Sequence, residues 1–471
     1  MKTLNYFFLI FILSLQLFGQ PTDISGIWSG KLELPNSIKL TIVFNISKDS
    51  TANYISTLDS PDQGAYGIST ESTSLIGDSL IITIPIIKGK YTSKVFLDEK
   101  KIAGKWTQGG LSLDLTVDKF EKIEKPNRPQ EPKEPFPYFS EDVKFVNQID
   151  DITLAGTLTF PEKGNNFPAV ILISGSGGQN RNEELLGHKP FLVISDYLTR
   201  NGIAVLRFDD RGIGESEGNH TAATTEDFVK DVLAGVEYLM TRKEIDKAKI
   251  GLIGHSEGGL IASVAAVKSS DVAFIVMMAG PGIPGDSILI LQGELIQRAE
   301  GVPEEEIQKS VIIQREIFSL VKQIYNDDEL KAKIEEKFRN EYATMSEDEK
   351  NKLGDPKNYL DTQLKTLTSP WFEFFIRYNP EPVLEKVKCP VLAINGQNDL
   401  QVPAKQNLSA IESALIKGGN KNFEIKMLPE LNHLFQTSET GAVSDYGQIE
   451  ETISPLALES MLIWIKKTTN E

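Results

Sequence analysis

Residues 254–259, with the sequence GHSEGG, place Ser256 between a segment typical of a buried strand and a segment typical of an apolar helix. The strand segment, residues 249–253, is a short apolar run, and residues 260–267 continue as an apolar helix directly after the glycines. A serine at the apex of such a sharp turn has a strained backbone and a protruding hydroxyl, and glycines flank it because side chains there would collide with the neighbouring strand and helix. The stretch therefore predicts a nucleophile elbow.

A second match to the pattern G-x-S-x-G is centred on Ser216, in residues 214–218. It is separated by a polar loop from the strand predicted at residues 204–208, and no apolar helix begins after it. We interpret this second match as a solvated glycine-rich loop, and we place the nucleophile at Ser256.

Length and charge limit the classes of protein that this sequence can encode. A chain of 471 residues is too long for one typical hydrophobic core, so we expect two domains. The formal net charge is −17 and no broad basic stretch is present, which argues against nucleic acid as a partner. Cys389 is the only cysteine, so an intramolecular disulfide is impossible.

The N-terminus has the pattern of a signal peptide, which we assign to residues 1–20. Lys2 provides the positive start, residues 4–17 are mostly apolar, and Gly19 supplies a small residue near the expected cleavage site. An uncleaved membrane anchor is the alternative, but the apolar run is short for a bilayer. We expect an exported protein, periplasmic or extracellular, without a stable membrane span after cleavage.

The composition predicts two folded regions joined by a linker. Residues 21–122 are rich in alternating strands separated by turns, which predicts a small antiparallel all-β domain. Residues 123–138 contain five prolines among charged residues and predict a stiff, extended linker. In residues 139–471 apolar strands alternate with helices, which predicts an α/β domain with a mostly parallel, doubly wound sheet.

The regular alternation breaks once, at about residues 282–385, where charged helices follow a predicted strand. An insertion at the carboxyl end of a strand lies over the active-site edge of such a sheet, so we predict a helical cap. Trp371 and Phe375 near its end have two interpretations. They line an acyl pocket, or they pack the core of the cap itself.

A serine hydroxyl needs a base to take its proton, and that base needs an orienting acid. Of the four histidines, His255 adjoins the serine, His188 precedes the first helix and His220 is in a polar loop. His433 follows the last predicted strand and can reach back over the sheet edge, so we predict that it is the base.

The orienting acid is expected at the end of the preceding strand, where Asp399 follows residues 391–394. Glu430 and Asp445 are weaker candidates, and Glu430 is too close to His433 in sequence to reach the far ring nitrogen easily.

The developing oxyanion needs preorganised hydrogen-bond donors. One predicted donor is the backbone N–H of Glu257, directly after the nucleophile. The other is the backbone N–H of Ser176, in the glycine-rich loop of residues 174–178. A tight turn without a ligand is the alternative for this loop, and a phosphate cradle would lack the lysine of a P-loop. We expect no cofactor and no metal.

These motifs, in the order Ser256, Asp399, His433, resemble the α/β-hydrolase superfamily, and more narrowly its bacterial esterases and serine aminopeptidase-like hydrolases. The resemblance covers about residues 139–468 and includes residues 207–212 (RFDDRG) and 399–403 (DLQVP). In that RFDDRG motif Asp210 and Arg211 are generally structural in such folds, so we leave them out of the site.

The resemblance implies a secreted serine hydrolase that cleaves small-molecule carboxylic esters through an acyl-enzyme intermediate. The alternative is an aminopeptidase or dipeptidyl-peptidase with the same triad. The β domain binds glycan or protein, or supports the hydrolase domain. The oligomeric state stays open.

Overall fold

The computed structural model describes residues 23–33, 39–61, 65–121, 127–347, 350, 353 and 355–470. The predicted signal peptide at residues 1–20 and the first part of the predicted linker lie outside these residues. Within them, no helix combines the length and the apolar character that crossing a bilayer requires.

The N-terminal part of the described chain forms one antiparallel sheet of nine strands in the order β4-β3-β2-β1-β9-β8-β7-β6-β5. The strands are β1 (Gly26–Glu33), β2 (Lys39–Lys48), β3 (Tyr54–Ser60), β4 (Ala65–Ser69), β5 (Ser72–Ile76), β6 (Ser79–Ile84), β7 (Gly89–Phe96), β8 (Lys101–Gln108) and β9 (Leu111–Phe120).

The alternation of buried and exposed residues shows which face of this sheet covers the core. Along β7 buried and exposed residues alternate strictly, so one face points inward and the other is solvated. The inner face carries large aromatic side chains, with the rings of Phe44 and Tyr91 stacked 5.1 Å apart. The hydroxyls of Ser56 in β3 and Thr73 in β5 hydrogen-bond at 2.7 Å, which brings the two ends of the sheet together. The predicted antiparallel all-β region is confirmed.

The second sheet has eight strands in the order β10-β11-β13-β12-β14-β15-β16-β17. Its strands are β10 (Tyr138–Asn147), β11 (Ile152–Pro161), β12 (Phe167–Ile173), β13 (Ala204–Phe208), β14 (Ile245–His255), β15 (Phe274–Met278), β16 (Val391–Gly396) and β17 (Phe423–Leu428). β11 pairs antiparallel with both of its neighbours, and the pairs from β13 to β17 are all parallel.

Helices cover both faces of this sheet. They are α1 (Pro190–Arg200), α2 (Thr225–Thr241), α3 (Glu257–Lys268), α10 (Ala404–Lys417) and α11 (Pro455–Thr469), numbered along the chain with the helices of the next paragraph. Because β13 and β15 are buried at every position, they carry apolar side chains on both faces, and two separate cores form. The predicted mostly parallel α/β sheet is confirmed.

Among the described residues, six further helices lie between β15 and β16. They are α4 (Gly285–Ala299), α5 (Glu304–Gln323), α6 (Asp327–Thr344), α7 (Pro356–Leu367), α8 (Pro370–Arg377) and α9 (Glu381–Leu384). The acidic first turns of α5 and α6 favour helix starts there. Helices α4 to α8 share a small apolar core of their own, which includes Ile307, Val321, Leu330 and Ile376, whereas Leu384 of α9 packs in a core of the α/β sheet. We call these six helices the helical insertion.

The segment between the two sheets is bound to the second one through Arg128. Its guanidinium donates hydrogen bonds to the backbone carbonyls of Leu186 (3.3 Å), Gly187 (3.1 Å), Gly447 (2.8 Å) and Ile449 (2.8 Å). Gln130 adds a donated bond to the Ile453 carbonyl at 2.7 Å. The predicted linker is therefore packed against the α/β region where it is described.

Candidate active site

Ser256 lies at the turn between β14 and α3 and has the strained backbone angles φ 53° and ψ −122°. The neighbouring glycines allow close backbone contacts. A Cβ on Gly254 would lie 1.9 Å from the Gly258 carbonyl oxygen, and a Cβ on Gly258 would lie 2.2 Å from the Ile173 carbonyl oxygen. The Ser256 N–H donates to the Met278 carbonyl at 2.8 Å, which ties the turn to β15. The turn thus has the geometry of a nucleophile elbow.

The second G-x-S-x-G serine has a different environment. The Ser216 hydroxyl donates to the Asp209 carbonyl at 2.6 Å and accepts from the Ala155 N–H at 2.9 Å. The residue is in a loop, as expected, but it is buried rather than solvated. Its hydroxyl connects this loop to β11 and does not line the cavity described below.

His433 and Asp399 form a buried pair at the carboxyl edge of the sheet. The loops after β16 and β17 carry them, and Asp399 Oδ2 accepts from His433 Nδ1 at 2.8 Å. The other carboxylate oxygen accepts from the N–H groups of Gln401 and Val402, both at 2.8 Å. The carboxylate is therefore fixed by three donors, and Nε2 of the ring is the nitrogen left to act in the cavity.

Ser256 and His433 line the same cavity of about 220 Å³. Among the described residues no hydrogen bond joins their side chains, so proton transfer requires the hydroxyl to approach the ring more closely. The competing acid Asp445 accepts instead from the Thr440 hydroxyl at 2.7 Å.

The other histidines have structural partners. His255 lies between Glu183, 3.0 Å from its Nδ1, and the backbone carbonyl of His433, 3.0 Å from its Nε2. Burial lowers the pKa of His255, but the Glu183 carboxylate, the His433 carbonyl and Asp399 together outweigh burial and raise it. His188 Nε2 donates to the Tyr446 carbonyl at 2.9 Å, and burial lowers the pKa of this ring to about 4. Neither ring is available as a base for Ser256.

The glycine-rich loop of residues 174–179 passes directly beside the nucleophile. A Cβ on Gly175 would lie 3.1 Å from Ser256 Cβ, so this position favours glycine because of close approach. Ser176 lines the cavity, as the sequence analysis requires of an oxyanion donor. The Gly175 N–H donates to Glu183 Oε1 at 2.9 Å and is thereby occupied.

Asp210 holds the other end of this loop. It accepts from the Ser174 hydroxyl at 2.7 Å and from the Gln179 N–H at 2.8 Å. Burial raises the pKa of its carboxyl to about 7. Asp210, expected to be structural, fixes the loop that carries Ser176.

Glu257 contributes more than the backbone N–H expected of it. Its side chain is buried and accepts from the Thr225 hydroxyl at 2.6 Å. Both of its carboxyl oxygens lie 2.9 Å from the Trp371 Nε1 of the helical insertion. Burial raises the pKa of the Glu257 carboxyl, although hydrogen bonds from Thr225, Ser176 and Trp371 oppose this.

The helical insertion provides one wall of the cavity. Its contribution is mostly apolar and consists of Ile288, Leu289, Gln292, Trp371 and Phe375. The rings of Trp371 and Phe375 are stacked with centroids 5.3 Å apart. Both rings line the cavity, and Trp371 also packs against the insertion core.

Comparison with known proteins shows which proteins this chain is similar to. The family model described as serine aminopeptidase, S33, matches residues 190–350. Esterase EstD of Thermotoga maritima is 26% identical over 292 residues, which are 61% of this chain and 60% of that esterase. An uncharacterized 31.7 kDa protein of Escherichia coli is 27% identical over 275 residues, 58% of this chain and 86% of that protein. The chain therefore spans about 60% of the length of the esterase.

Solved structures that align with this chain include Est1E of Butyrivibrio proteoclasticus with bound ferulic acid, at TM-score 0.41 and 17% identity, covering 70% of this chain and 100% of that one. The Pyrococcus furiosus esterase Pf2001 aligns at TM-score 0.41 and 16% identity, covering 74% and 98% of the two chains. The family match and the alignment with the Thermotoga esterase support an esterase-like family of α/β hydrolases for this chain.

Proposed function

We propose that this protein is an exported serine hydrolase that cleaves carboxylic esters of small molecules through an acyl-enzyme intermediate. The proposed nucleophile is Ser256, the base is His433, and Asp399 orients the base. The observation that carries the proposal is the 2.8 Å bond between His433 Nδ1 and Asp399 Oδ2 beside the strained Ser256 turn, with Ser256 and His433 lining one cavity.

In the proposed reaction the Ser256 Oγ bonds to the acyl carbon while His433 Nε2 takes the hydroxyl proton. The carbonyl oxygen becomes an oxyanion and is stabilised by the backbone N–H groups of Ser176 and Glu257. The ester C–O bond then breaks, and His433 returns the proton to the leaving alkoxide. Water repeats the sequence on the acyl-enzyme, which releases the acid and restores the serine.

The state of the cavity carboxyls favours esters over peptides. An aminopeptidase must offer a negative group to the free amine of its substrate, and Glu183 and Glu257 are the carboxyl side chains among the described residues that line this cavity. Glu183 already accepts from His255 and Gly175. Glu257 already accepts from Thr225 and Trp371. Both oxygens of Glu257 and the Oε1 atom of Glu183 are therefore engaged, which leaves few acceptor positions for an ammonium group, whereas an uncharged ester needs none.

We further propose that the helical insertion acts as a cap over the acyl side of the site, because it supplies an apolar wall of the cavity. Export is proposed from the sequence of residues 1–20 alone.

Rates on p-nitrophenyl butyrate and on aminoacyl p-nitroanilides test this proposal, using protein that begins at about residue 21. We expect rapid ester cleavage, little anilide cleavage and a loss of at least about a thousandfold in Ser256→Ala. Ser216→Ala serves as the matched control in the second G-x-S-x-G match. Preferential anilide cleavage would contradict the ester assignment, and full activity of Ser256→Ala would contradict the nucleophile.

A further inference from the structure

The Glu257 side chain connects the nucleophile turn to the helical insertion, which the backbone role of this residue does not require. An oxyanion donor at this position uses only the main-chain N–H, which any residue except proline provides. Here the side chain points into a buried site where it meets Trp371 from α8 and Thr225 from α2. The contact spans 114 positions of the sequence.

We propose that Glu257 and Trp371 form a specificity-determining contact that fixes the acyl wall of the cavity and restricts the enzyme to esters of short acyl chains. This inference rests on the proposed function. Glu257 acts here as a positioning residue through its carboxyl group, and Trp371 is the residue that it positions.

The geometry makes the contact strong and directional. The Trp371 N–H lies 2.9 Å from each carboxyl oxygen of Glu257, and the Thr225 hydroxyl donates to one of them at 2.6 Å. Glu257 is only 2% exposed, so water does not compete for these bonds. Because Glu257 directly follows Ser256, the indole position is set relative to the nucleophile itself.

The position of the indole in turn determines the shape of the cavity wall. Trp371 stacks on Phe375 at 5.3 Å with the ring planes 16° apart, and both rings line the cavity with Ser256. The cavity volume of about 220 Å³ is below the roughly 300–1,000 Å³ of pockets that enclose drug-sized ligands. A fixed aromatic wall therefore leaves space for a small acyl group and excludes a long one.

The rest of α8 is held independently of Glu257. Phe372 and Ile376 are buried in the insertion core, and the Phe372 ring packs edge-on against Phe318 at 5.7 Å. Removal of the indole N–H should therefore allow the Trp371 ring to move without unfolding α8.

The test compares Trp371→Phe with wild-type protein, because phenylalanine keeps an aromatic ring and removes the N–H. Phe374→Leu is the matched control. It lies on the same helix but stacks on Tyr378 and lines a different surface hollow. Glu257→Gln keeps one acceptor oxygen for the indole and is expected to show an intermediate effect. Thermal unfolding of each variant verifies that it is folded.

The measured quantity is the ratio of second-order rate constants for a short-chain and a long-chain fluorophosphonate, which label the nucleophile without needing ester turnover. The same ratio is measured as kcat/KM for p-nitrophenyl butyrate over decanoate. We expect Trp371→Phe to lower both ratios by about tenfold and Phe374→Leu to leave them unchanged. Unchanged ratios in folded Trp371→Phe and Glu257→Gln would overturn the inference. Absence of labelling at Ser256 in wild-type protein would overturn the proposed function itself.

Discussion

At the scale of single residues, three carboxyl side chains fix the loop beside the nucleophile. Glu183 accepts from the Gly175 N–H, Asp210 from Ser174 and Gln179, and Glu257 interacts with Ser176. These contacts hold the proposed oxyanion donor in place before any substrate binds, and preorganisation of this kind is what lowers the barrier. Burying three acids in one region is costly, which the raised pKa values of Asp210 and Glu257 reflect.

Asp210 makes stability depend on pH. Its pKa is raised by burial from 3.8 to about 7, so the folded state binds its proton more tightly than the unfolded state. The stabilising contribution is full below about pH 4 and is lost as the pH rises through about 7. We expect the free energy of unfolding of wild-type protein to fall over this range relative to Asp210→Asn, by an amount on the order of a few kcal/mol.

Urea unfolding of both proteins measures this difference. The measurements are made at about pH 4.5, 6 and 7.5, which span the expected titration of Asp210. A constant difference between wild type and Asp210→Asn at all three values would show that Asp210 does not titrate in the folded protein.

The sequence allowed Ser256, His433 and Asp399 to be proposed as nucleophile, base and acid, because each follows a strand whose apolar pattern is local. It did not predict the roles of the Glu183 and Glu257 side chains. Glu183 meets His255 across 72 positions, and Glu257 meets Trp371 across 114. Such pairings depend on how loops fold over the sheet, and no local spacing encodes them. That the Glu183 and Glu257 side chains are buried is evident only from the three-dimensional structure.

At the scale of elements, the turn from β14 into α3 depends on glycine as much as on serine. Helix α3 crosses so close to β12 that a Cβ on Gly258 would lie 2.2 Å from a carbonyl oxygen of that strand. The contact involves two backbones, so no side-chain rotation relieves it. The strand predicted at residues 204–208 is β13, whereas β14 and α3 extend beyond the residues 249–253 and 260–267 predicted for them.

We therefore expect Gly258→Ala to destabilise the protein by about 3 kcal/mol or more and to abolish activity. Gly293→Ala in α4 is the control, because a Cβ there would meet only the flexible end of Gln314. Thermal unfolding and ester hydrolysis measure both effects. A Gly258→Ala protein with wild-type stability would show that α3 can shift away from the strand.

At the scale of the whole molecule, the segment that connects the two sheets is bound to the α/β region by the Arg128 side chain. We call these hydrogen bonds of Arg128 the clamp. The predicted linker contains Arg128, which donates to four carbonyls in two loops of the α/β region. One of these loops includes Tyr446, whose hydroxyl accepts from Gln401 at 3.3 Å, next to the residues that hold Asp399.

Arg128→Ala should leave those carbonyl groups without their donor and lower the free energy of unfolding by about 2 kcal/mol. Lys133→Ala, an exposed cation in the same segment, is the control. A fragment beginning at Phe139 lacks the whole clamp and should be less stable and less active than the full chain. Equal stability of Arg128→Ala and wild type in urea unfolding would show that the clamp is dispensable.

The most direct test of the account is detection of the acyl-enzyme. Wild-type protein and Ser256→Ala are mixed with p-nitrophenyl acetate, quenched in acid and analysed by intact-protein and peptide mass spectrometry. The account predicts that wild-type protein gains one acetyl group on the peptide containing Ser256 and that Ser256→Ala gains none. Acetylation of another residue at the same rate in both proteins, or turnover without any covalent adduct, would contradict it.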